Sequence, residues 1–193
     1  MMDKHKVFLI IGRTASGKTS MCKEMGVRLG LRTLMSYTDR PMRETENNGN
    51  RDHTFVTKEE ADIMLKDMSK VIAYTTSIED GYRRFATIDQ LQGADLYIID
   101  PNGVDTLKLC KNPALKDIEF IEIYVRVPYQ KAKENAKKRK HTESDFITRY
   151  EQESKQFAEY EKRQAFKYHI LNDTTIDIAC DKLERIIRKE LAL

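Results

Sequence analysis

The fold is set near the N-terminus by the segment Val7-Phe8-Leu9-Ile10-Ile11-Gly12-Arg13-Thr14-Ala15-Ser16-Gly17-Lys18-Thr19. Its first five residues are all apolar, which predicts a strand buried on both faces. The remaining eight match the P-loop pattern Gly-x-x-x-x-Gly-Lys-Ser/Thr, and a helix is predicted from position 17 or 18 to about position 29. Backbone N–H groups of such a loop and the N-terminus of the following helix attract anions, so the segment predicts a phosphate site.

The P-loop pattern assigns chemistry to individual residues. Lys18 is predicted to reach the terminal phosphates of ATP, and the Thr19 hydroxyl is predicted to bind Mg²⁺. Asp100 ends a second apolar run at 96–100, where P-loop proteins commonly keep an acid for Mg²⁺. A turn-forming aspartate before Pro101-Asn102-Gly103 is the alternative interpretation of this residue. The predicted ATP-binding residues of the loop are Gly12, Arg13, Thr14, Ala15, Ser16, Gly17, Lys18 and Thr19.

The pattern of apolar residues predicts the rest of the architecture. Further strands are expected at 33–36, 71–77, 83–87, 96–100, 118–127 and 168–172, with a long polar loop at 37–51. Thr57 and Glu60 form a capping-box pattern that starts one helix, and Thr174 is expected to cap the last helix. A charged helical region is expected at 130–163 with a break near 141–142. Strands that alternate with helices predict an α/β fold, a P-loop NTPase three-layer sandwich with a central parallel sheet and right-handed crossovers.

Composition narrows the class of protein. A chain of 193 residues suits one domain, and 34 Lys plus Arg against 31 Asp plus Glu give a net charge of +3, too balanced to indicate a nucleic-acid partner. Three widely spaced cysteines, Cys22, Cys110 and Cys180, fit neither a disulfide framework nor a zinc site. The apolar run at 7–11 is too short for a signal peptide or a membrane span. We therefore expect a reduced, cytoplasmic chain that binds neither nucleic acid nor membrane.

A second set of residues downstream of the P-loop follows the order of a known set of motifs. It comprises Ser36-Tyr37-Thr38-Asp39-Arg40-Pro41-Met42-Arg43, Glu46, Gly49, Asp52-His53-Thr54-Phe55, Asp100-Pro101-Asn102-Gly103 and Asn172-Asp173. In this order the chain resembles the guanylate kinases. The resemblance implies one kinase domain, with a core at 1–35, 94–128 and 155–193, an inserted nucleoside-monophosphate-binding region at 36–93 and a helical lid at 129–154. It also implies ATP as phosphoryl donor, a nucleoside monophosphate as acceptor and Mg²⁺ as cofactor.

The resemblance places an acceptor site in the inserted region. Arg40 and Arg43 are three residues apart, and guanidinium groups bind phosphate oxygens bidentately, so both are expected on the acceptor's phosphate. His53 stands where the family has tyrosine, and its ring N–H can still donate to that phosphate. The acceptor-binding residues implied are Ser36, Arg40, Arg43, His53, Thr76, Thr87 and Asp100.

The resemblance implies that the basic stretch at 131–141 forms the lid over ATP, with Arg139 and Arg149 reaching the transferred phosphoryl group. Such a lid suits the reaction, because phosphoryl transfer gains from positive charge around that group and from the exclusion of water. The family has a further arginine where this chain has Asn135. The catalytic residues implied are Lys18, Arg40, Arg43, Arg139 and Arg149, and Asn172 is expected to complete the ATP site.

The base-binding region departs from the family. The position of the family's base-reading glutamate falls near Thr76, and the nearest acids are Glu79 and Asp80. Ala86 replaces a glycine, and Ile98 replaces an aspartate two residues before Asp100.

Several functions therefore stay open. The leading one is a kinase that acts on GMP or dGMP, and the same fold could use another (deoxy)nucleotide or a ribose phosphate, as in ribose 1,5-bisphosphate phosphokinases. The non-enzymatic alternatives are a phosphoprotein-binding module of guanylate-kinase type and a nucleic-acid binder that uses the basic lid. The chain could act as a monomer or a homodimer.

Overall fold

The computed structural model describes residues 4–42, 46, 51–77, 81–138, 142–163 and 166–193. The strands are β1 (His5–Ile11), β2 (Thr33–Leu34), β3 (Tyr37–Thr38), β4 (Thr54–Phe55), β5 (Val71–Thr76), β6 (Arg83–Thr87), β7 (Leu96–Ile98), β8 (Ile118–Arg126) and β9 (Tyr168–Leu171). The α-helices are α1 (Lys18–Leu29), α2 (Lys58–Leu65), α3 (Ile88–Leu91), α4 (Pro101–Leu109), α5 (Tyr129–Lys138), α6 (Glu143–Lys162) and α7 (Ile176–Leu191), and a 3₁₀ helix spans Pro113–Asp117.

The central sheet has five parallel strands in the order β2-β7-β1-β8-β9. Side chains of β1 alternate between its two faces. Val7, Leu9 and Ile11 pack in the core that contains residues of α4 and α6. Phe8 and Ile10 pack in the core that contains residues of α1 and α7. Helices on both faces of a parallel sheet confirm the predicted three-layer α/β fold.

A second, smaller sheet has the order β4-β3-β6-β5 and stands apart from the central one. Its apolar side packs on α2 through a cluster that includes Ala61, Val71 and Phe85. The predicted capping box is present, because Thr57 Oγ1 accepts from the Glu60 N–H at 3.1 Å and Glu60 Oε2 accepts from the Thr57 N–H at 2.7 Å. Among the described residues, no helix is long and apolar enough to cross a membrane.

Predicted boundaries differ from the structure at several elements. The strand expected at 33–36 ends at Leu34, where β2 pairs with β7 in the central sheet. A separate strand, β3, lies at the start of the expected polar loop and pairs with β4 and β6 in the small sheet. Thr175 rather than Thr174 caps α7, with its hydroxyl accepting from the Ile178 N–H at 3.4 Å. Both threonines precede the apolar face, and the helix starts one residue later than the capping pattern suggested. The break in the charged helical region is present, with Thr142 as the N-cap of α6.

Candidate active site

The P-loop joins β1 to α1 and is packed tightly against its neighbours. An added Cβ on Gly12 would lie 2.4 Å from the backbone oxygen of Val125, and Gly17 has a φ of +97°, a conformation that favours glycine. The buried Asn172 donates from Nδ2 to the Ser16 carbonyl at 2.9 Å. The predicted ATP-site asparagine therefore holds the loop from the far edge of the sheet, directly after β9.

Lys18 is the first residue of α1 and lies over the loop. Its Nζ donates to the carbonyl oxygens of Gly12 at 2.7 Å and Arg13 at 2.9 Å. The ammonium group is thus held at the helix N-terminus, where the backbone also attracts anions. Lys18 lines a cavity that extends from the P-loop to the small sheet.

Helix α6 brings Arg149 to the P-loop. The Thr14 N–H donates to Glu153 Oε2 at 2.6 Å, and Arg149 donates from Nε to Glu153 Oε1 at 3.1 Å. Arg13 also donates to the Ser154 hydroxyl at 2.8 Å. Glu153 was not predicted as a site residue. The only signal for it in the sequence is that it lies four residues after Arg149 on a predicted helix.

Helix α5, in the predicted lid, also contacts the loop. Asn135 donates from Nδ2 to the Ala15 carbonyl at 3.0 Å. The residue that replaces a family arginine is therefore a neutral contact to the loop backbone. Arg139 lies outside the described residues, so its predicted role remains a prediction.

The predicted Mg²⁺ ligands lie along the same cavity. Thr19 Oγ1 donates to Asp52 Oδ2 at 3.2 Å, and both residues line the cavity together with Asp100. Magnesium in kinases is held by one or two carboxylates together with substrate phosphates and water, so this oxygen set fits the ion. The sequence analysis identified Asp52 as part of a family motif and assigned it no role in metal binding.

Asp100 has a structural role as the N-cap of a helix, instead of the turn of the alternative interpretation, and it still reaches the cavity. Its side chain caps α4 by accepting from the Gly103 N–H at 2.8 Å. Burial raises the pKa of this carboxyl above its usual value, while the hydrogen bond from Gly103 and the charge of Arg84 act in the opposite direction. A cation bound beside it would favour its ionised form.

The acceptor end of the cavity contains Ser36, Arg40, His53 and Thr76. Arg40 binds Glu46 bidentately, with distances of 3.1 and 2.7 Å from its two terminal nitrogens, and its guanidinium carbon lies 5.1 Å from the centre of the Phe55 ring. Ser36 Oγ and His53 Nδ1 are hydrogen-bonded at 3.0 Å. The structure therefore brings Arg40, Ser36 and His53 together at one end of the cavity, and their role in acceptor binding remains a prediction.

Other predicted acceptor residues are placed differently. Thr87 is buried at the start of α3, where its backbone N–H donates to Gln90 Oε1 at 3.2 Å, and it is not among the described residues that line the cavity. Arg43, Glu79 and Asp80 lie outside the described residues. Arg84 also lines the cavity. It was not predicted as a site residue, because the adjacent Arg83 has the same charge and the sequence does not show which of the two side chains reaches the cavity.

His53 is expected to make the protein sensitive to acid. Burial, together with the charges of Arg84 and Arg40, lowers the pKa of its ring from 6.5 to about 4, against opposing effects of Ser36 and Glu46. The unfolded chain then binds more protons than the folded chain between about pH 6.5 and pH 4, so the contribution of His53 to stability is lost as the pH falls through this range. We expect a loss of about 1–3 kcal/mol.

The measurement is the unfolding midpoint of the wild-type chain and of His53→Gln, which cannot titrate, between pH 7.5 and 4. The wild-type protein should lose stability more steeply than the variant below about pH 6.5. Parallel curves for the two proteins would contradict a neutral, buried His53.

The chain is similar to known proteins in sequence family and in fold. The family model for guanylate kinase matches residues 4–190. The crystal structure of guanylate kinase from Anaplasma phagocytophilum is similar to this chain with a TM-score of 0.66 and 19% sequence identity, covering 98% of this chain and 88% of that one. An uncharacterized protein from Eubacterium ventriosum has a TM-score of 0.48 at 11% identity, covering 94% and 98% of the two chains. No curated protein matches the sequence.

Proposed function

We propose that this chain, which belongs to the guanylate kinase family, transfers the γ-phosphoryl group of ATP to a nucleoside monophosphate, with GMP or dGMP as the leading acceptor. The observation that carries the proposal is the continuous cavity that has Lys18 and the P-loop at one end and Arg40 with His53 at the other. A donor phosphate and an acceptor phosphate bound at these two ends would face each other across it.

The proposed mechanism relies on position and charge, because phosphoryl transfer needs little covalent chemistry from the protein. The P-loop backbone and Lys18 hold the β- and γ-phosphates, while Arg149, held by Glu153, faces the same space. Arg40 and His53 hold the acceptor's phosphate so that its oxygen lies in line with the γ-phosphoryl group. Mg²⁺ held by Thr19, Asp52 and Asp100 would neutralise phosphate charge.

Arg43 and Arg139 belong to this proposed set of cations on the basis of the family resemblance alone. The proposed reaction also excludes water from the cavity, which closure of α5 and α6 over ATP would achieve.

A second acceptor class is supported by the altered base site. Strand β5 and the residue after it present Tyr74, Thr75, Thr76 and Ser77 to the cavity, and this stretch contains no carboxylate to accept from the N–H groups of guanine. Hydroxyls and amides bind several bases, so another (deoxy)nucleoside monophosphate is the alternative acceptor. A non-catalytic phosphoprotein-binding module is less favoured, since the P-loop retains Gly17, Lys18 and Thr19.

The test is an ADP-release assay with Mg-ATP and a panel of acceptors: GMP, dGMP, AMP, dAMP, CMP, UMP, dTMP and ribose 5-phosphate. We expect kcat/KM for GMP or dGMP to exceed that for the other acceptors by at least about tenfold, the discrimination that one or two hydrogen bonds to a base supply. Preference for another nucleotide would support the proposed kinase activity and change the proposed acceptor. ATP binding without ADP release from any acceptor would contradict the proposed reaction and favour the binding module.

A further inference from the structure

Strand β6 presents two adjacent arginines to opposite sides of the small sheet. The β6 backbone is fixed on both sides, with Arg84 opposite Thr38 of β3 and Thr75 of β5. Successive side chains of a strand point to opposite faces, so only one arginine of the pair can reach the cavity. Arg84 is that residue.

Arg83 has a structural role on the other side. It donates from Nε to Asp39 at 2.6 Å and from one terminal nitrogen to the Lys58 carbonyl at 3.0 Å, and it also pairs with Asp62. These contacts connect β6 to α2 and to the residue after β3. An arginine was therefore needed at position 83 for the fold, whereas position 84 places a second one in the acceptor end of the cavity.

The charge balance at that end shows what Arg84 can contribute. Arg40 is bound bidentately by the carboxylate of Glu46. The acceptor's phosphate carries close to two negative charges at neutral pH. Arg40 and Glu46 together have no net charge, so a dianion gains from every further cation nearby, including Arg43, which the resemblance implies, and Arg84, which lines the cavity.

Arg84 lines the cavity together with Ser36, Arg40 and His53. Its backbone pairs with Thr38 of β3 and Thr75 of β5, close in sequence to Ser36 and Thr76 of the acceptor end. The Arg84 guanidinium group can therefore donate to the same phosphate oxygens.

We propose that Arg84 is a phosphate-binding residue of the acceptor site, where it and Arg40 hold the acceptor's phosphate together with His53. The inference rests on the proposed phosphoryl transfer. It names a residue that the resemblance did not assign and predicts that the site binds the phosphate group whatever base is attached.

The experiment compares the full-length wild-type chain with Arg84→Met and Arg84→Lys, and with Arg185→Met on the exposed face of α7 as a matched loss of one positive charge. For each variant, the KM of the best acceptor and of ATP are measured, together with the inhibition constants of the best acceptor's nucleoside and of inorganic phosphate. Unfolding midpoints show whether each variant is folded.

We expect Arg84→Met to raise the acceptor's KM by about 10- to 100-fold, the loss expected for a charge-assisted hydrogen bond. The KM for ATP and the inhibition constant of the nucleoside should change less than twofold, inhibition by inorganic phosphate should weaken, and Arg84→Lys should recover part of the loss. Arg185→Met should resemble the wild-type chain.

Three results would overturn this role. If the wild-type chain makes ADP and Arg84→Met has the same acceptor KM, the proposed role of Arg84 is refuted and the kinase proposal stands. Equal weakening of nucleoside and nucleotide binding would assign Arg84 to the base instead. A wild-type chain that releases no ADP with any acceptor would refute both proposals.

Discussion

Lys18→Met will reduce the kcat/KM for phosphoryl transfer by about three orders of magnitude or more while the protein remains folded. The substitution keeps the length of the side chain and removes its ammonium group. In the structure this group is held by the carbonyl oxygens of Gly12 and Arg13, within the loop that is proposed to hold the β- and γ-phosphates. A positive charge fixed at that place stabilises the transition state more than the ground state, so most of the loss should appear in kcat.

The measurement is steady-state ADP release together with thermal unfolding in the presence and absence of Mg-ATP. Lys23→Ala is the matched control, since Lys23 is an exposed lysine of the same helix, and its rate should stay within about twofold of the wild-type rate. Lys18→Arg keeps the charge but not its compact shape, so it should recover only part of the activity. A folded Lys18→Met variant with a rate within tenfold of wild type would contradict the role of Lys18 in transfer.

The donor half of the site could be predicted from the sequence because its information is local. A run of five apolar residues, two glycines and Lys18-Thr19 lie within thirteen consecutive positions, and strand, loop and helix follow from short-range preferences. The parallel sheet follows in the same way from strands that alternate with helices. The structure confirms the parallel sheet and the strand, loop and helix of this segment, and the binding roles of its residues remain predictions.

The remaining site depends on contacts between distant segments. Thr14 and Glu153 are 139 positions apart and Ser16 and Asn172 are 156 apart, so no local pattern pairs them. Asn172 was found through the resemblance, whereas Glu153 has no family motif to mark it.

The small sheet shows a second limit of sequence reasoning. Arg83 and Arg84 are identical in type and adjacent, and only the register of β6 between β3 and β5 decides which one reaches the cavity. The same uncertainty explains the wrong strand at 33–36, because the change from one sheet to the other there depends on long-range pairing.

Gly12→Ala will destabilise the fold by about 2–4 kcal/mol, because its new methyl group meets backbone that cannot move away. The added Cβ would lie 2.4 Å from the Val125 carbonyl oxygen and 3.0 Å from Ser16 Oγ. Val125 belongs to β8, which is paired with β1 on one side and with β9 on the other, so relief of the contact would require the central sheet to separate locally. For a chain of this size the unfolding midpoint should fall by about 5–12 °C.

Gly26→Ala is the matched control for this substitution. Its added Cβ meets the Leu31 carbonyl oxygen at 3.3 Å, and alanine favours the helical conformation of α1 by about 1 kcal/mol over glycine, so the two effects should nearly cancel. Both variants are compared by urea unfolding and by ADP release. Because the Gly12 carbonyl also accepts from Lys18, a shifted loop should displace the ammonium group and lower kcat in the fraction that stays folded. A Gly12→Ala protein as stable as Gly26→Ala would show that β1 and β8 are not held at the separation on which the proposed phosphate site depends.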